Sequence, residues 1–570
     1  MLTGPVWWKP RHFVGDLTSL DLQGSIWAYW WSAFSLENGL NPFAGSHNFY
    51  PIGQHPVSQY NILDGLLSAP LITLFGLRVG FNLACVAILA SAGWAMQRFC
   101  RSLGLGFFAA TAAGIALMCS SYLSNEISSG RPTQALVVFF LLGLTEVRHI
   151  ANGSATRKNV IVLGLCTAAC GLVYWYYLPL FAIAALSIWL TMRADLTRLA
   201  WKQILSSAAF SIALLLPFLV ALAQKYKHLP GVERTSPEDN ELTHLTGGDF
   251  GLQMAIETSE WPIWPLLKTP NTQSQALSWG VILLALWGLK ASAKKEKRLL
   301  LTLFFIGWLF SLGPYLRLND TIPTSIPLPF LWIHDAVPFM DRFWWPQRWE
   351  ILCAIGIAGL AGLGVEQLHT SGRLKGVVQK GGLLLLLVAC GFWARGGFLI
   401  TSEIQRTPKA LYQDVDGPIL SFPIRGDSLS GAMVLLSQTV HEHPISGGLG
   451  QHLDGHRPPA VDKWMTENPF IEFLLEMEQG SSGTRQVQPE HIQGLLEQGL
   501  RYVAIDPHNF PSKLGPRRAA SYFEVCSELF GEPLRIEAGG AIWKITAINE
   551  AKEIEFRLSQ RAHRRLRDAQ

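Results

Sequence analysis

Several side chains in this chain could act on a hydroxyl and a phosphate. The stretch "VGDLTSLDLQGSIWAYWW" (14–31) sets two carboxylates, Asp16 and Asp21, just ahead of a run of tryptophans. A carboxylate within hydrogen-bond reach of a hydroxyl can take its proton as a general base. Arg131, Arg234, Arg342 and Arg348 recur farther along, and a guanidinium fork matches a phosphate better than an ammonium does. Tyr50, His55 and Gln134 add hydrogen-bonding groups. Trp27, Trp30, Trp31, Trp261, Trp264, Trp332, Trp344 and Trp345 could supply rings for a sugar to stack on. A sugar carried on a polyprenyl phosphate would need this set, plus an apolar groove for its tail. Each residue also has a plainer reading. "GD" and "SLD" are ordinary turn or helix-start chemistry. Glu126 and Arg131 could pair with each other, and Arg342 and Arg348 flank "FWWPQ", where they could anchor a helix at the interface. Tryptophans in a membrane chain commonly form an interfacial belt.

The elements that must position these residues are membrane helices. Hydrophobic residues make up 49% of the 570 residues and charged residues 15%, against about 25% charged in a soluble chain. Mean hydropathy is +0.23. The net charge of +4 leaves no electrostatic footprint for a nucleic acid. A spanning helix needs about 20 apolar residues. That length places spans near 78–98, 105–124, 133–149, 159–174, 176–193, 203–224, 278–292, 298–314, 348–367 and 381–400. The stretch "LLSAPLITLFGL" (66–77) is short and interrupted by Pro, which suits a half-inserted or interfacial segment.

Basic residues orient the spans. Arg98 and Arg101, then Arg148, Arg157 and Lys158, then Arg193, Arg198 and Lys202, then "KASAKKEKR" (290–298) and "HTSGRLKGVVQK" (369–380) fall in alternate connections. The positive-inside bias makes these cytoplasmic. The remaining connections, residues 1–77 and the tail then face outward. An outward first segment normally follows a membrane helix, so either this segment translocates by itself or the true start lies upstream of Met1, and the second is the expectation. No secretory signal opens the chain.

From about residue 401 the pattern changes. "DGPILSFPI", "RYVAIDP" and "GGAIWKIT" read as short strands, and "PFIEFLLEMEQG" and "EHIQGLLEQG" as amphipathic helices. Three parts result: an outward first loop with interfacial helices (1–77), a transmembrane helical domain (78–400) and a soluble non-cytoplasmic α/β domain (401–570). The basic end "RLSQRAHRRLRDAQ" suits a solvated terminus or contact with lipid headgroups. Seven of the eight cysteines fall in or beside apolar stretches, and no zinc or disulfide spacing is present.

Read together, "GDLTSLDLQGSIWAYWW", "NGLNPFAGSHNFYPIGQ", "SSGRPTQALVVFFLLGL", "YWYYLPLFAIA" and "FSLGPYLRL" with "IPLPFLWIHDAVPFMDRFWWPQRW" resemble bacterial polytopic membrane glycosyltransferases of the GT-C type. In the tail, "GPILSFPI", "HEHPISGGLGQ" and "LLEQGLRYVAI" fit as well. The resemblance covers nearly the whole chain in order. It implies an α-helical polytopic membrane protein, here of about 10–11 spans, with a C-terminal soluble α/β domain, in the bacterial inner (cytoplasmic) membrane. It implies transfer of a sugar from a polyprenyl-phosphate donor to a glycan, lipid or protein acceptor on the outer side, with membrane lipids as the other partners. The family's first-loop acid maps onto Asp16 through its "GD" context, with Asp21 as the alternative. Arg131, Arg234, Arg342 and Arg348 are the phosphate candidates. Some members use a divalent cation (Mg or Mn) and others none, and no metal-ligating residue is assigned here. The sequence departs from the family in lacking a first helix and an evident Asp-Glu pair in the first loop. Two rival functions remain: a transporter or flippase of lipid-linked saccharide, and a non-catalytic membrane assembly protein. Transport calls for charged or polar residues within the spans and broken helices at midplane. The polar residues here gather instead at one face.

Overall fold

The computed structural model describes residues 9, 11–17, 19–53, 61–192, 198–226, 278–311, 313, 315–318, 322–337, 340, 346–394, 399–404, 407–448, 451, 457–479, 483–511 and 515–556. The helices used below are α1 (Leu20–Glu37), α2 (Leu63–Ser102), α3 (Phe107–Met118), α4 (Ser121–Ser128), α5 (Val138–Ala151), α6 (Arg157–Val173), α7 (Tyr177–Met192), α8 (Arg198–Tyr226), α9 (Trp279–Gly288), α10 (Lys294–Ser311), α11 (Glu350–Thr370), α12 (Val377–Ala394), α13 (Ser428–His441), α14 (Pro469–Glu478), α15 (Pro489–Glu497) and α16 (Gly515–Phe530). Each of the ten apolar segments read from sequence falls on one or two of them. Five helical stretches among the described residues are long and apolar enough to cross a membrane: Leu63–Ser102, Phe107–Ser128, Pro132–Ala151, Leu199–Ala221 and Glu350–Thr370. The chain divides into two compact units.

The first unit comprises residues 1–15, 82–220 and 230–401, and α11 is its central helix. Its apolar window is 78% buried, against 22% for Leu199–Ala221, which is peripheral. The sequence "AIGIAGLAGLG" (354–364) explains the difference. Small residues let helix backbones approach closely, and in a bilayer that packing drives association. A Cβ added at Gly356 would sit 2.7 Å from the Leu300 carbonyl oxygen of α10. One at Gly364 would overlap the Leu284 carbonyl of α9, and one at Gly288 the Leu360 carbonyl of α11. The helices α9, α10 and α3 therefore close on α11 where it lacks side chains. An antiparallel hairpin, β1 (Tyr315–Leu318) and β2 (Ile322–Pro327), follows α10.

The second unit comprises residues 16–81, 221–229 and 402–570. Its core is a four-stranded sheet in the order β3 (Ile419–Ser421), β5 (Tyr502–Ile505), β7 (Gly540–Lys544), β6 (Arg535–Glu537). β3 and β5 are parallel, and the other neighbours are antiparallel. β4 (Gly483–Val487) pairs antiparallel with β8 (Lys552–Phe556). The three runs read as strands supply β3, β5 and β7, and α14 and α15 are the two amphipathic helices. Cys526, in the polar tail by sequence, is buried in this core.

In the same unit, α1 packs against α13. Trp27 Nε1 donates to Gln438 Oε1 at 2.7 Å, and Gln438 Nε2 donates to the backbone oxygens of His47 and His443. Trp27 and Trp31 are fully buried and stack on each other. These tryptophans are core side chains, not the belt expected of them. The apolar surface of the first loop lies instead on Leu63–Gly76, where Leu67, Leu74 and Phe75 are exposed. That run ends at Gly76, whose φ of 74° and ψ of 161° break α2.

Candidate functional site

The site is built on a helix terminus. α4 stops at "SSG" because Gly130 takes a left-handed φ of 75°. The Gly130 N–H donates to the Ile127 carbonyl, and the Arg131 N–H reaches back to the Glu126 carbonyl at 2.8 Å. This pair of bonds is the Schellman closure, which a glycine adopts without steric cost. The chain folds back on the last turn of α4, so Arg131 Nε meets Glu126 Oε2 at 2.6 Å. The pairing weighed from sequence is thus real.

A third charge joins them. A 3-10 turn, Pro346–Trp349, precedes α11 and carries Arg348. Arg348 Nη1 donates to Glu126 Oε1. One carboxylate therefore binds two guanidiniums, one on each oxygen. Glu126 is 1% exposed, and the side chains of Arg348 and Arg131 are 4% and 16% exposed. Arg131 is the more open of the two arginines.

Aromatic and amide groups surround this triad. Tyr122, one turn before Glu126 on α4, lies within electrostatic reach of Glu126, Arg348, Glu350 and Arg131. Tyr174, in the α6–α7 connection, and Tyr177, the first residue of α7, pack edge to face at 5.4 Å. Both lie within reach of Glu126 and Arg348. The Tyr177 hydroxyl donates to the Gln134 carbonyl, which ties the α6–α7 turn to the segment after Arg131. Trp349 stacks on Phe310 at 4.6 Å. Three buried side-chain atoms here have no hydrogen-bond partner among the described residues: Tyr122 Oη, Gln134 Oε1 and Trp349 Nε1. A buried polar atom left unpaired costs about 1–3 kcal/mol. The two donors, Tyr122 Oη and Trp349 Nε1, suit a ligand with acceptor oxygens, and Gln134 Oε1 suits a hydroxyl donor.

Asp16 and Asp21 belong to the second unit. Asp16 is half-buried, and its carbonyl accepts from the Ser19 N–H in the turn before α1. Asp21 is exposed in the first turn of α1, where the helix dipole favours a negative charge. Tyr50 is also in the second unit; its backbone N–H donates to Ile445 and its ring packs on the α/β core. His55, Arg234 and Arg342 lie outside the described residues. No three His, Cys, Asp or Glu side chains converge as a metal site among the described residues. Sequence reasoning did not assign Tyr122, Trp349 or the Glu126–Arg348 pair. Their signal was present in "SYLSNEISSGR", where Tyr122 and Glu126 are four apart and share a helix face.

No family model and no curated protein sequence matches the chain. Solved structures do. The arabinofuranosyltransferase AftD from Mycobacteria, in a mutant form, superposes with a TM-score of 0.54 at 13% identity, over 95% of this chain and 40% of that one. The chain has the GT-C fold. It spans 40% of the length of that transferase. Weaker GT-C matches include ArnT from Cupriavidus metallidurans bound to undecaprenyl phosphate, with a TM-score of 0.43, 10% identity, 95% of this chain and 96% of that one. The oligosaccharyltransferase of Archaeoglobus fulgidus matches with a TM-score of 0.41, 10% identity, 87% of this chain and 67% of that one. With this fold and its apolar helices, the chain is a multi-pass membrane protein.

Proposed function

We propose that this chain is a membrane glycosyltransferase that moves a sugar from a polyprenyl-phosphate donor to a hydroxyl acceptor on the outer side of the inner membrane. The observation that carries the reading is the Arg131–Glu126–Arg348 triad with its three unpartnered neighbours, set in a GT-C fold. The AftD neighbour, an arabinofuranosyltransferase by name, supports the reaction class.

In this reading Arg131 and Arg348 hold the donor phosphate, with Gln134 beside them. Tyr50, His55, Arg234 and Arg342 remain further substrate-contact candidates. Asp16 or Asp21 takes the proton of the acceptor hydroxyl as its oxygen attacks the anomeric carbon. The bond between that carbon and the phosphate oxygen breaks, and the electron pair leaves with polyprenyl phosphate. The leaving group is already anionic, so it needs charge stabilisation more than protonation. Two guanidiniums in a water-poor site supply that. The anomeric configuration inverts in this single displacement. The α/β domain, on the non-cytoplasmic side, is the part available for an acceptor. The transport reading would need charges at mid-span, whereas Glu126 and Glu350 sit in the last turn of α4 and the first turn of α11.

The test uses purified protein in lipid and a panel of radiolabelled polyprenyl-phosphate sugars. Wild type is compared with Asp16→Asn, Asp21→Asn and Arg131→Gln, each checked for folding. The expected result is transfer from one donor, lost in one aspartate variant with donor binding kept, and weakened binding in Arg131→Gln. Absence of transfer from every donor by folded wild type sinks the enzyme reading in favour of transport or assembly.

A further inference from the structure

A second cationic cluster lies at the end of the first unit that carries the basic connections. Trp287, in the last turn of α9, is half-buried. Lys290 Nζ stands 4.5 Å from the centroid of its ring, and Arg373 Cζ, from the connection after α11, stands 4.9 Å from it. The two like charges are therefore held within about 10 Å of each other, one Debye length at 0.1 M salt. Neither side chain has an ion-pair partner among the described residues.

The arrangement is built, because the packing of α9 on α11 at Gly288 and Gly364 holds the backbone next to Trp287 in place. Lys290 is not spent on capping α9. Lys297 does that, donating to the Leu289 and Ala291 carbonyls at 2.8 and 3.1 Å. The indole Nε1–H of Trp287 is buried with no partner among the described residues. Two cations and an orphaned donor on one ring call for an anion.

The flank of the same helix says what carries the anion. Leu283, Leu286 and Leu289 are 62%, 54% and 38% exposed. They form an apolar strip along α9 that leads up to the cluster. A ligand with a charged head and a hydrocarbon chain fits both parts.

We infer that Trp287, Lys290 and Arg373 bind the phosphodiester headgroup of an anionic phospholipid, with an acyl chain lying along Leu283 and Leu286. The site is distinct from the arginine triad and does not rest on the proposed reaction. Anionic headgroups attract basic side chains at the membrane surface by about 1 kcal/mol each, which is roughly fivefold in affinity per charge.

The experiment is native mass spectrometry of the purified full chain in detergent, titrated with phosphatidylglycerol or phosphatidylcholine. Wild type should retain phosphatidylglycerol in preference. Lys290→Gln with Arg373→Gln should weaken that lipid roughly 25-fold and leave phosphatidylcholine unchanged. Trp287→Phe keeps the ring, removes the Nε1–H donor, and should lose a few-fold. Lys290→Arg with Arg373→Lys keeps both charges and should retain the preference, which controls for folding. Lys294→Gln with Lys295→Gln removes the same charge nearby. Equal loss in that control would mean a diffuse field and overturn the site. So would a wild type without headgroup preference, or displacement of the lipid by inorganic phosphate at equal concentration.

Discussion

Glu126→Gln separates the two things a buried carboxylate between arginines can do. Glu126 is 1% exposed and accepts from Arg131 at 2.6 Å and from Arg348. The substitution keeps the shape and removes the charge. Both guanidiniums then face a neutral amide. Breaking a buried pair from one side costs about 3–5 kcal/mol. Arg348 is nearly as buried as its partner, so its share should approach that range, and the partly open Arg131 adds less. We expect the ligand-free protein to lose about 3 kcal/mol, read as a shifted denaturation midpoint in detergent.

Donor binding should move the opposite way. In wild type a phosphate must share the two arginines with Glu126. In Glu126→Gln that competition is gone, and affinity for polyprenyl phosphate should rise about tenfold, or about 1.4 kcal/mol. Ligand should then stabilise the variant more than wild type, because binding to the folded state alone adds RT ln(1 + [L]/Kd). Glu126→Asp keeps the charge and should show a smaller stability loss with no gain in affinity. Equal ligand stabilisation in wild type and Glu126→Gln would refute the placement of phosphate beside these arginines. Unchanged stability in Glu126→Gln would refute the ion triad itself.

Other perturbations follow from the same geometry. Arg131→Ala should cost less stability than Arg348→Ala, because its side chain is 16% rather than 4% exposed; parallel unfolding curves check the order. Gly130→Ala puts a Cβ at a φ of 75°, which should cost about 1 kcal/mol and weaken polyprenyl-phosphate binding by displacing Arg131, read by the same titration. Gly364→Leu drives a side chain into the Leu284 carbonyl and should cost about 3 kcal/mol, whereas Gly376→Leu, with nothing within 4 Å of its added Cβ, should be near neutral by the same unfolding measurement. In the second unit, burial holds His47, His441 and His443 below the ordinary imidazole value of 6.5, helped at His47 and His441 by neighbouring histidines and opposed at His443 by Asp416. The unfolded chain binds protons there that the folded chain refuses. Stability is therefore full above pH 6.5 and falls below it, by about 1.4 kcal/mol per pH unit for each histidine that stays neutral. His441→Gln should flatten that loss in a pH series of unfolding curves.

The sequence was most legible where one local rule suffices. Apolar length marked the long helices of the first unit but not the short Pro329–Ala336, and alternation with Gly and Pro bounds marked β3, β5 and β7. It was less legible where distance in the chain was bridged. The Arg131–Glu126 pair lies five residues apart and could be weighed beforehand. Arg348 lies 222 residues from Glu126, and no local pattern ties it there. The tryptophans of α1 misled for a related reason. In a membrane chain their type points to the interface, but Trp27 is held by Gln438, 411 residues away. Residue type gave the burial preference, and only tertiary pairing decided what covered the rings.

Stability alone is a poor account of the triad. Replacing a buried ion pair by packed apolar side chains is often neutral or stabilising, since desolvation offsets much of the attraction. Three charges with a shared carboxylate multiply that penalty. The surrounding atoms add to it, for Tyr122 Oη, Gln134 Oε1 and Trp349 Nε1 are buried without partners among the described residues. A fold-stabilising network would be expected to satisfy its members, because a half-satisfied one is worse than an apolar core. Among these atoms Tyr122 Oη and Trp349 Nε1 are donors in want of an acceptor. Both are relieved by one anionic, hydrogen-bonding guest. In the proposed function that guest is the donor phosphate, and the folding cost of burying Arg131 and Arg348 on one carboxylate is recovered when it binds.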